Sequence, residues 1–389
     1  MCDRIDNGKG QPILLLGSQM ATGGSQQVLL RQSAWFFQHG YAVTAAFLYD
    51  KENLLSVWSE KYPFPIHDLG FARPKSNPVR QAVYFLRGLI RLLNLMRQEK
   101  FIAIETFTAH ANLIGLPLAW IAGVPNRIGS HRGKIEGFSP LLERLNTLLI
   151  NSPITTRLVA VSKRVEDDAI AEGIRPDRIV QIANGIDIQK VDPAEVLRVR
   201  DGLGVQSGDL VLLSVGRLMH QKGHIILLRA LSMVLAESPN ISTMIAGEGP
   251  LKDELQAETV QLDISDQVKF LGMRDDIPVL MSLADIFIFP SRFEGMPNSV
   301  LEAMGYGLAV IATDVQGVDE LIRNEENGII VPVEDTAAIS RAILRLANNP
   351  EERRRLGRAA HDTIKHKYTL DAMCVQYERL LMARSRRWS

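Results

Sequence analysis

The sequence predicts two α/β units in succession, each a doubly wound parallel sheet. Three observations carry this. Short apolar runs of strand length alternate with helix-period segments along most of the chain, the pattern of parallel sheets with helices on both faces. The alternation restarts after Gly208 with a second set of strands. A chain of 389 residues also exceeds what one hydrophobic core usually serves.

In the first half the strands are expected at Ile13–Leu16, Ala42–Leu48, Ile102–Thr106, Arg127–Ser130 and Leu158–Val161, with helices at Gln26–His39, Val79–Glu99 and Leu141–Leu149. Strand character is lost between Asp187 and Gly208, which sets a boundary near Val191. The second half has strands at Val211–Val215, Ser242–Ala246, Val268–Leu271, Ile286–Pro290, Val310–Ala312 and Gly328–Val331, and helices around His224–Glu237, Pro250–Leu262 and Asn298–Met304. From Leu370 to Ala383 an amphipathic helix carries Met373, Tyr377, Leu380 and Leu381 on one side, followed by an Arg384, Arg386, Arg387 tail. The organisation expected is 1–190, 191–368 and a terminal segment 369–389.

Composition narrows the function classes. With 44 basic and 44 acidic residues and 46% apolar content, the chain is neither disordered nor fibrous. Two cysteines, Cys2 and Cys374, supply neither a disulfide framework nor a zinc cluster, which fits a reducing compartment. The polar start is not a signal peptide, and Arg87, Arg91 and Arg97 interrupt the most apolar candidate span, so a cytoplasmic protein is expected. Overall neutrality hides an asymmetry: residues 1–190 hold 22 basic against 16 acidic residues. The excess concentrates in Arg73–Lys134, where Arg73, Lys75, Arg80, Arg87, Arg91, Arg97, Lys100, Arg127, Arg132 and Lys134 face two acids, Glu99 and Glu105. Such a run suits a solvated helix face, and equally a footprint for an anionic membrane surface or a phosphorylated acceptor. Zero net charge and the lack of interleaved aromatics argue against nucleic acid.

The richest segment is IFIFPSRFEGMPNSVLEAMGYG, Ile286–Gly307: a buried strand, a turn, and a helix expected to open at Pro297. A helix N-terminus after a parallel strand offers amides and a positive dipole end to an anion, here from Met296, Asn298 and Ser299. Glu294 and Glu302, eight residues apart, suit the two ends of an extended ligand, because a carboxylate accepts two hydrogen bonds from a vicinal diol. In VLLSVGRLMHQKGHIIL, Arg217 follows a strand and Lys222 stands near the next helix, where cations stabilise a departing diphosphate. Gly23-Gly24 after the first strand lets backbone approach a phosphate, but the run is not Gly-x-Gly-x-x-Gly, so a nicotinamide-binding domain is disfavoured. His131, in GSHRG, ends a strand where side chains reach a ligand crevice, whereas His110 reads as structural. No Asp-x-Asp, His-Glu-x-x-His or Cys/His cluster supports a catalytic metal.

Taken together, these residues resemble the retaining GT-B glycosyltransferases of family four, group 1. The resemblance spans nearly the whole chain and rests on Glu294-x7-Glu302 in EGMPNSVLEAMGYGLAVIAT, then GVDELI, GRLMHQKG, and NGID at Asn184–Asp187. It implies two Rossmann-like domains facing a central cleft, an acceptor-side first and a donor-binding second, with the terminal helix crossing back to the first. Arg217 and Lys222 match the pair on the donor diphosphate, Glu302 the glutamate on the ribose, and Glu294 the one on the donor sugar. Gly23-Gly24, with Gly216, matches glycine turns beside the phosphates; Gly272–Arg274 resembles the stretch that meets the nucleobase; His131 resembles a histidine near donor sugar and acceptor.

The activity implied is transfer from a UDP- or GDP-sugar to an acceptor hydroxyl with retention, in glycan, polysaccharide or glycolipid synthesis, with a glycan or lipid-linked acceptor and no cofactor. Retention by double displacement would need a carboxylate nucleophile; no candidate stands out in the first half, and the resemblance implies front-face attack. A phosphorylase or epimerase on this fold, and a catalytically silent nucleotide-sugar-binding subunit, stay open at this point.

Overall fold

The computed structural model describes residues 10–73, 76–133, 139–238 and 240–383. Cys2, Lys75, Lys134 and the Arg384, Arg386, Arg387 tail lie outside them. The chain divides into two compact units, one comprising the residues up to Gly185 together with those from Leu370 onward, the other Ile186–Thr369.

The first unit runs β1 (Pro12–Met20), α1 (Gly24–Gln38), β2 (Ala42–Asp50), α2 (Leu55–Lys61), β3 (Ile66–Asp68), α3 (Pro78–Glu99), β4 (Ala103–Thr106), α4 (Ala109–Ile121), β5 (Asn126–His131), α5 (Pro140–Asn151), β6 (Arg157–Ala160), α6 (Lys163–Ala171) and β7 (Ile179–Gln181). Its strands form one parallel sheet in the order β3-β2-β1-β4-β5-β6-β7. Side chains alternate across a strand, and here the alternation builds two cores. Ile13, Leu15, Ala103 and Phe107 pack on one face with Val28, Leu29 and Phe36 of α1. Leu14, Leu16 and Ile104 pack on the other with α3, α4 and α5.

The second unit continues with α7 (Pro193–Gly202), β8 (Leu210–Val215), α8 (His224–Leu235), β9 (Ile241–Ala246), α9 (Lys252–Gln261), β10 (Val268–Gly272), α10 (Ile277–Leu283), β11 (Ile286–Phe289), α11 (Asn298–Gly305), β12 (Ala309–Thr313), α12 (Val318–Leu321), β13 (Ile329–Val331), α13 (Thr336–Asn348) and α14 (Pro350–Lys367). Its parallel sheet has the order β10-β9-β8-β11-β12-β13. All four residues of β11 are buried, as a central strand covered on both faces requires. The last helix, α15 (Leu370–Leu381), belongs to the first unit. It buries Met373, Cys374, Tyr377 and Leu381, and Leu380 packs partly buried against the same core. Trp35 Nε1 donates to Asp371 Oδ1 at 2.6 Å and Tyr41 Oη to Glu378 Oε1 at 2.6 Å, fastening α15 to α1 and to the turn that follows it.

Each sheet has a switch point where strand order reverses, between β1 and β4 and between β8 and β11. In open α/β sheets ligands bind beyond the carboxyl ends of the strands at such points.

Candidate donor and acceptor sites

In the second unit the loops leaving β8 and β11 meet at the switch point. Gly216–Gly223 leaves β8, with a single 3₁₀ turn at His220–Lys222 before α8; Pro290–Pro297 leaves β11. Lys222 Nζ lies 2.5 Å from Glu294 Oε1, so residues 72 apart in sequence share one point. Neither side chain is far from water, at 17% and 11% exposure. Ser291 Oγ donates to the same Glu294 oxygen at 3.1 Å, and the ammonium stands 5.6 Å from the Phe289 ring centroid. Further bonds lace the loops together: Arg292 N donates to Gln221 O (2.8 Å), Gln221 Nε2 to Phe293 O (2.9 Å) and Arg292 Nη1 to His220 O (2.5 Å). Arg217 stands exposed on the same loop, and its guanidinium makes no hydrogen bond or ion pair among the described residues.

Helix α11 begins at Asn298, the start expected from its apolar pattern, and not at the proline before it. Pro297 is the N-cap, in extended conformation, and its carbonyl accepts from Val300 N and Leu301 N. The expectation of a helix opening at Pro297 is corrected accordingly, though proline still forfeits no helical bond there. Met296 is buried in the turn, Asn298 and Ser299 form the first helical turn, and Glu302 lies partly buried one turn further. Gly317, at φ +77°, lies so close beneath this turn that a Cβ would stand 2.5 Å from Gly295 O.

Gly272 ends β10 at φ +67° and accepts from Gly247 N at 2.8 Å. Arg274 pairs bidentately with Asp276, Nε to Oδ1 at 2.7 Å and Nη2 to Oδ2 at 2.5 Å, so its guanidinium is already engaged within the segment.

His224, missed in the sequence, is the first residue of α8. It is buried, and its Nδ1 has no hydrogen-bond partner. Burial, and then the neighbouring Lys222 charge, push the imidazole down to about 3. A histidine whose folded pKa lies below its unfolded value contributes stability that is complete above pH ~6.5 and is lost as pH falls toward ~3. We expect His224→Asn to flatten the decline in urea-unfolding stability between pH 6 and 4 by up to about 1.4 kcal/mol per pH unit, the slope of one proton. An unchanged slope contradicts this.

In the first unit Gly23 caps α1 in extended conformation, so it is not a left-handed turn; the side chain it lacks would meet Gln26 Oε1 at 2.8 Å. Gly24 opens the helix. Thr22 before them is held by Glu52, which accepts from its amide (2.9 Å) and hydroxyl (3.1 Å). His131 closes β5 and pairs through Nε2 with Glu172 at 3.1 Å. His110 lies in the first turn of α4.

The basic run divides. Arg127 does not belong to a surface footprint: its guanidinium donates to the carbonyls of Val124, Pro125, Pro153 and Ile154. Arg132 is turned inward against Glu105. Arg80, Arg87, Arg91, Arg97 and Lys100 remain exposed on or beside α3. Among the described residues no helix is long and apolar enough to cross a membrane, and no three His, Cys, Asp or Glu side chains gather as a metal site.

Comparison with known proteins covers both units. The pattern of Glycosyltransferase Family 4 matches residues 22–190 and that of Glycosyl transferases group 1 matches residues 197–363. The Escherichia coli UDP-Gal:alpha-D-GlcNAc-diphosphoundecaprenol alpha-1,3-galactosyltransferase is 27% identical over 68% of this chain and 71% of its own length. The Staphylococcus aureus capsular polysaccharide biosynthesis glycosyltransferase CapM is 24% identical over 73% of this chain and 77% of its own. The fold of Anabaena HepE, crystallised with UDP and glucose, superposes with a TM-score of 0.84 at 22% identity, over 95% of this chain and 99% of that one. The chain belongs to the family 4, group 1 glycosyltransferases, retaining enzymes of the GT-B fold.

Proposed function

We propose that the second unit holds a UDP- or GDP-sugar at the β8/β11 switch point and that the first unit admits a lipid-linked or glycan acceptor. The observation that carries this is the Lys222–Glu294 contact, which joins a cation and a carboxylate from two strand-end loops at the place where open α/β sheets bind ligands. Arg217 and Lys222 meet the diphosphate, Gly216 lets backbone lie beside it, and the amide-bearing start of α11 (Met296, Asn298, Ser299) adds its dipole. Glu302 accepts from the ribose diol and Glu294 from sugar hydroxyls, while the Gly272–Arg274 backbone borders the base. Gly23, Gly24 and His131 serve the transfer from the first unit. Charge leaves with the nucleoside diphosphate, and the acceptor hydroxyl attacks on the same face, its proton passing to a donor phosphate oxygen.

A thermal-shift screen against UDP, GDP, ADP and their sugars tests this, because a ligand bound only by the folded state raises its melting temperature. UDP is favoured by the relatives' names, and an ADP-only response would overturn the assignment. Product analysis with and without acceptor separates transfer from phosphorolysis or epimerisation.

We also propose that α3 and α5 bring the first unit to an anionic bilayer, where a lipid-linked acceptor resides. On α3 the solvent side carries Val79 (75% exposed), Val83, Leu86 and Ile90, at i, i+4, i+7 and i+11, flanked by Arg80 and Arg87. Leu141, Leu145 and Leu148 repeat the stripe on α5. Apolar side chains beside basic ones suit the interface between headgroups and acyl chains. Leu86→Glu with Ile90→Glu is expected to cut flotation with anionic vesicles at least tenfold, since each buried aliphatic side chain contributes about 1.5–3 kcal/mol. Wild-type binding should weaken with salt; equal binding to neutral vesicles contradicts the charge contribution.

A further inference from the structure

Beneath the end of β5 the first unit holds a polar cluster that the donor chemistry does not use. Glu105 of β4 is fully buried. Gln32 Nε2 of α1 donates to its Oε2 at 2.5 Å, and Arg132 Nη2 stands 3.6 Å from its Oε1. The Arg132 guanidinium also donates to Asn184 Oδ1 (3.2 Å) and Tyr377 Oη (3.5 Å) and lies over the Phe107 ring at 4.4 Å. Glu105 Oε1 and Arg132 Nε, both buried, have no hydrogen-bond partner. One arginine therefore ties the turn after His131 to β4, to the Asn184 loop and to α15. A charge removed from water in this way persists only while its counter-charge does.

We infer that Glu105 is a positioning residue for sugar transfer: its carboxylate holds Arg132, and through Arg132 the His131–Gly133 turn, in the arrangement the reaction needs. This rests on the proposed role of His131. The bulk of the carboxyl is out of reach of a substrate, so Glu105 acts only through its neighbour. Its effect follows charge, not size.

Burial pushes the Glu105 carboxyl up to about 7, against the opposing pull of Arg132 and the bond from Gln32. The groups facing it are Gln32 from α1, Arg132 from the β5 turn, and Tyr377 and Cys374 from α15, both of the latter held protonated by burial and by Glu105 itself. Asp371 and Glu378, further along α15, are engaged with Trp35 and Tyr41. A guanidinium does not give up its proton in proteins, so the carboxyl of Glu105 is the group whose charge changes in this range. Below the Glu105 pKa the carboxyl is neutral and its hold on Arg132 is lost, and the transfer rate falls with it.

The test is the pH profile of kcat for transfer, between pH 5.5 and 8.5, in wild type and Glu105→Gln, which copies the neutral carboxyl. Wild type should lose rate below pH ~7, where the buried carboxyl takes up its proton. Glu105→Gln should show kcat at least tenfold lower at pH 8, a flat acid side, and a donor KM within twofold of wild type. A kcat within twofold of wild type, or an acid limb that persists unchanged, overturns the proposal. Should Glu105→Gln fail to fold, Arg132→Lys decides: a compact ammonium cannot span Glu105, Asn184 and Tyr377 together, so kcat should fall with donor KM unchanged, and a wild-type kcat overturns the proposal. Failure of the wild type itself to transfer sugar from any donor in the screen would instead refute the reading on which this one rests.

Discussion

Lys222→Ala is expected to lower turnover by about two to three orders of magnitude, the usual cost of removing one preorganised donor from the place where charge develops. The loss should fall on kcat and kcat/KM together, because the ammonium matters most as the sugar–phosphate bond breaks and negative charge gathers on the leaving diphosphate. Stability should change far less. Glu294 would lose its 2.5 Å partner but keep the hydroxyl of Ser291, and the pair is partly solvated, so breaking it costs about 1 kcal/mol. Steady-state kinetics beside a urea titration checks both. Near-normal turnover would remove Lys222 from the chemistry.

Gly223→Ala should damage the same site through the backbone. Gly223 sits at φ +65° between the turn that carries Lys222 and the start of α8, and a Cβ there would stand 2.0 Å from Pro290 O at the end of β11. The left-handed conformation alone costs an L-residue roughly 1–2 kcal/mol, and the Pro290 carbonyl follows directly on the buried central strand β11, which leaves it little room to yield. We expect a total loss of about 3 kcal/mol or more, with turnover falling as the β8 loop is pushed off the β11 loop. Gly216→Ala is the stability control, since its Cβ would meet only the aliphatic carbons of Lys222 at 3.4–3.6 Å. Its stability should stay within about 1 kcal/mol of wild type; equal losses in the two variants would show that the Pro290 contact is not what matters.

How much of this could be read in advance depended on signal strength. All eleven strands anticipated from apolar runs form, ten of them within about two residues of their expected ends and β1 running four residues past Leu16 into polar sequence, because a buried parallel strand is a continuous apolar run. The two strands not anticipated, β3 and β7, are three residues each; β3 follows Pro63 and Pro65, and neither is long enough to show a period. Helix α14 was passed over for a different reason. Its buried stripe is Leu356, Gly357, Ala360 and Ile364, half of it small, and Gly357 is small because a Cβ would meet Gly307 O at 2.1 Å. Close backbone approach erases the apolar signal that would announce it.

At the site, the residue types in the two strand-end loops were readable because their chemistry is unusual there. The bond between Lys222 and Glu294 was not, since only sheet order decides that the β8 and β11 loops are neighbours. His224 and Glu105 were missed because nothing in a linear sequence tells a buried ionisable residue from a solvated one. Arg127 and Arg132 looked like free surface charge for the same reason; Arg127 proves to be half-buried and tied to carbonyls, and Arg132 to be held inside by a carboxylate.

The most direct measurement of the central claim is a crystal structure of the protein with UDP, or with whichever nucleotide the thermal screen selects. The account predicts the diphosphate within hydrogen-bonding distance of Arg217 and Lys222 and over the start of α11, with the ribose on Glu302. A nucleotide seated elsewhere, or those two side chains turned away from its phosphates, would contradict it.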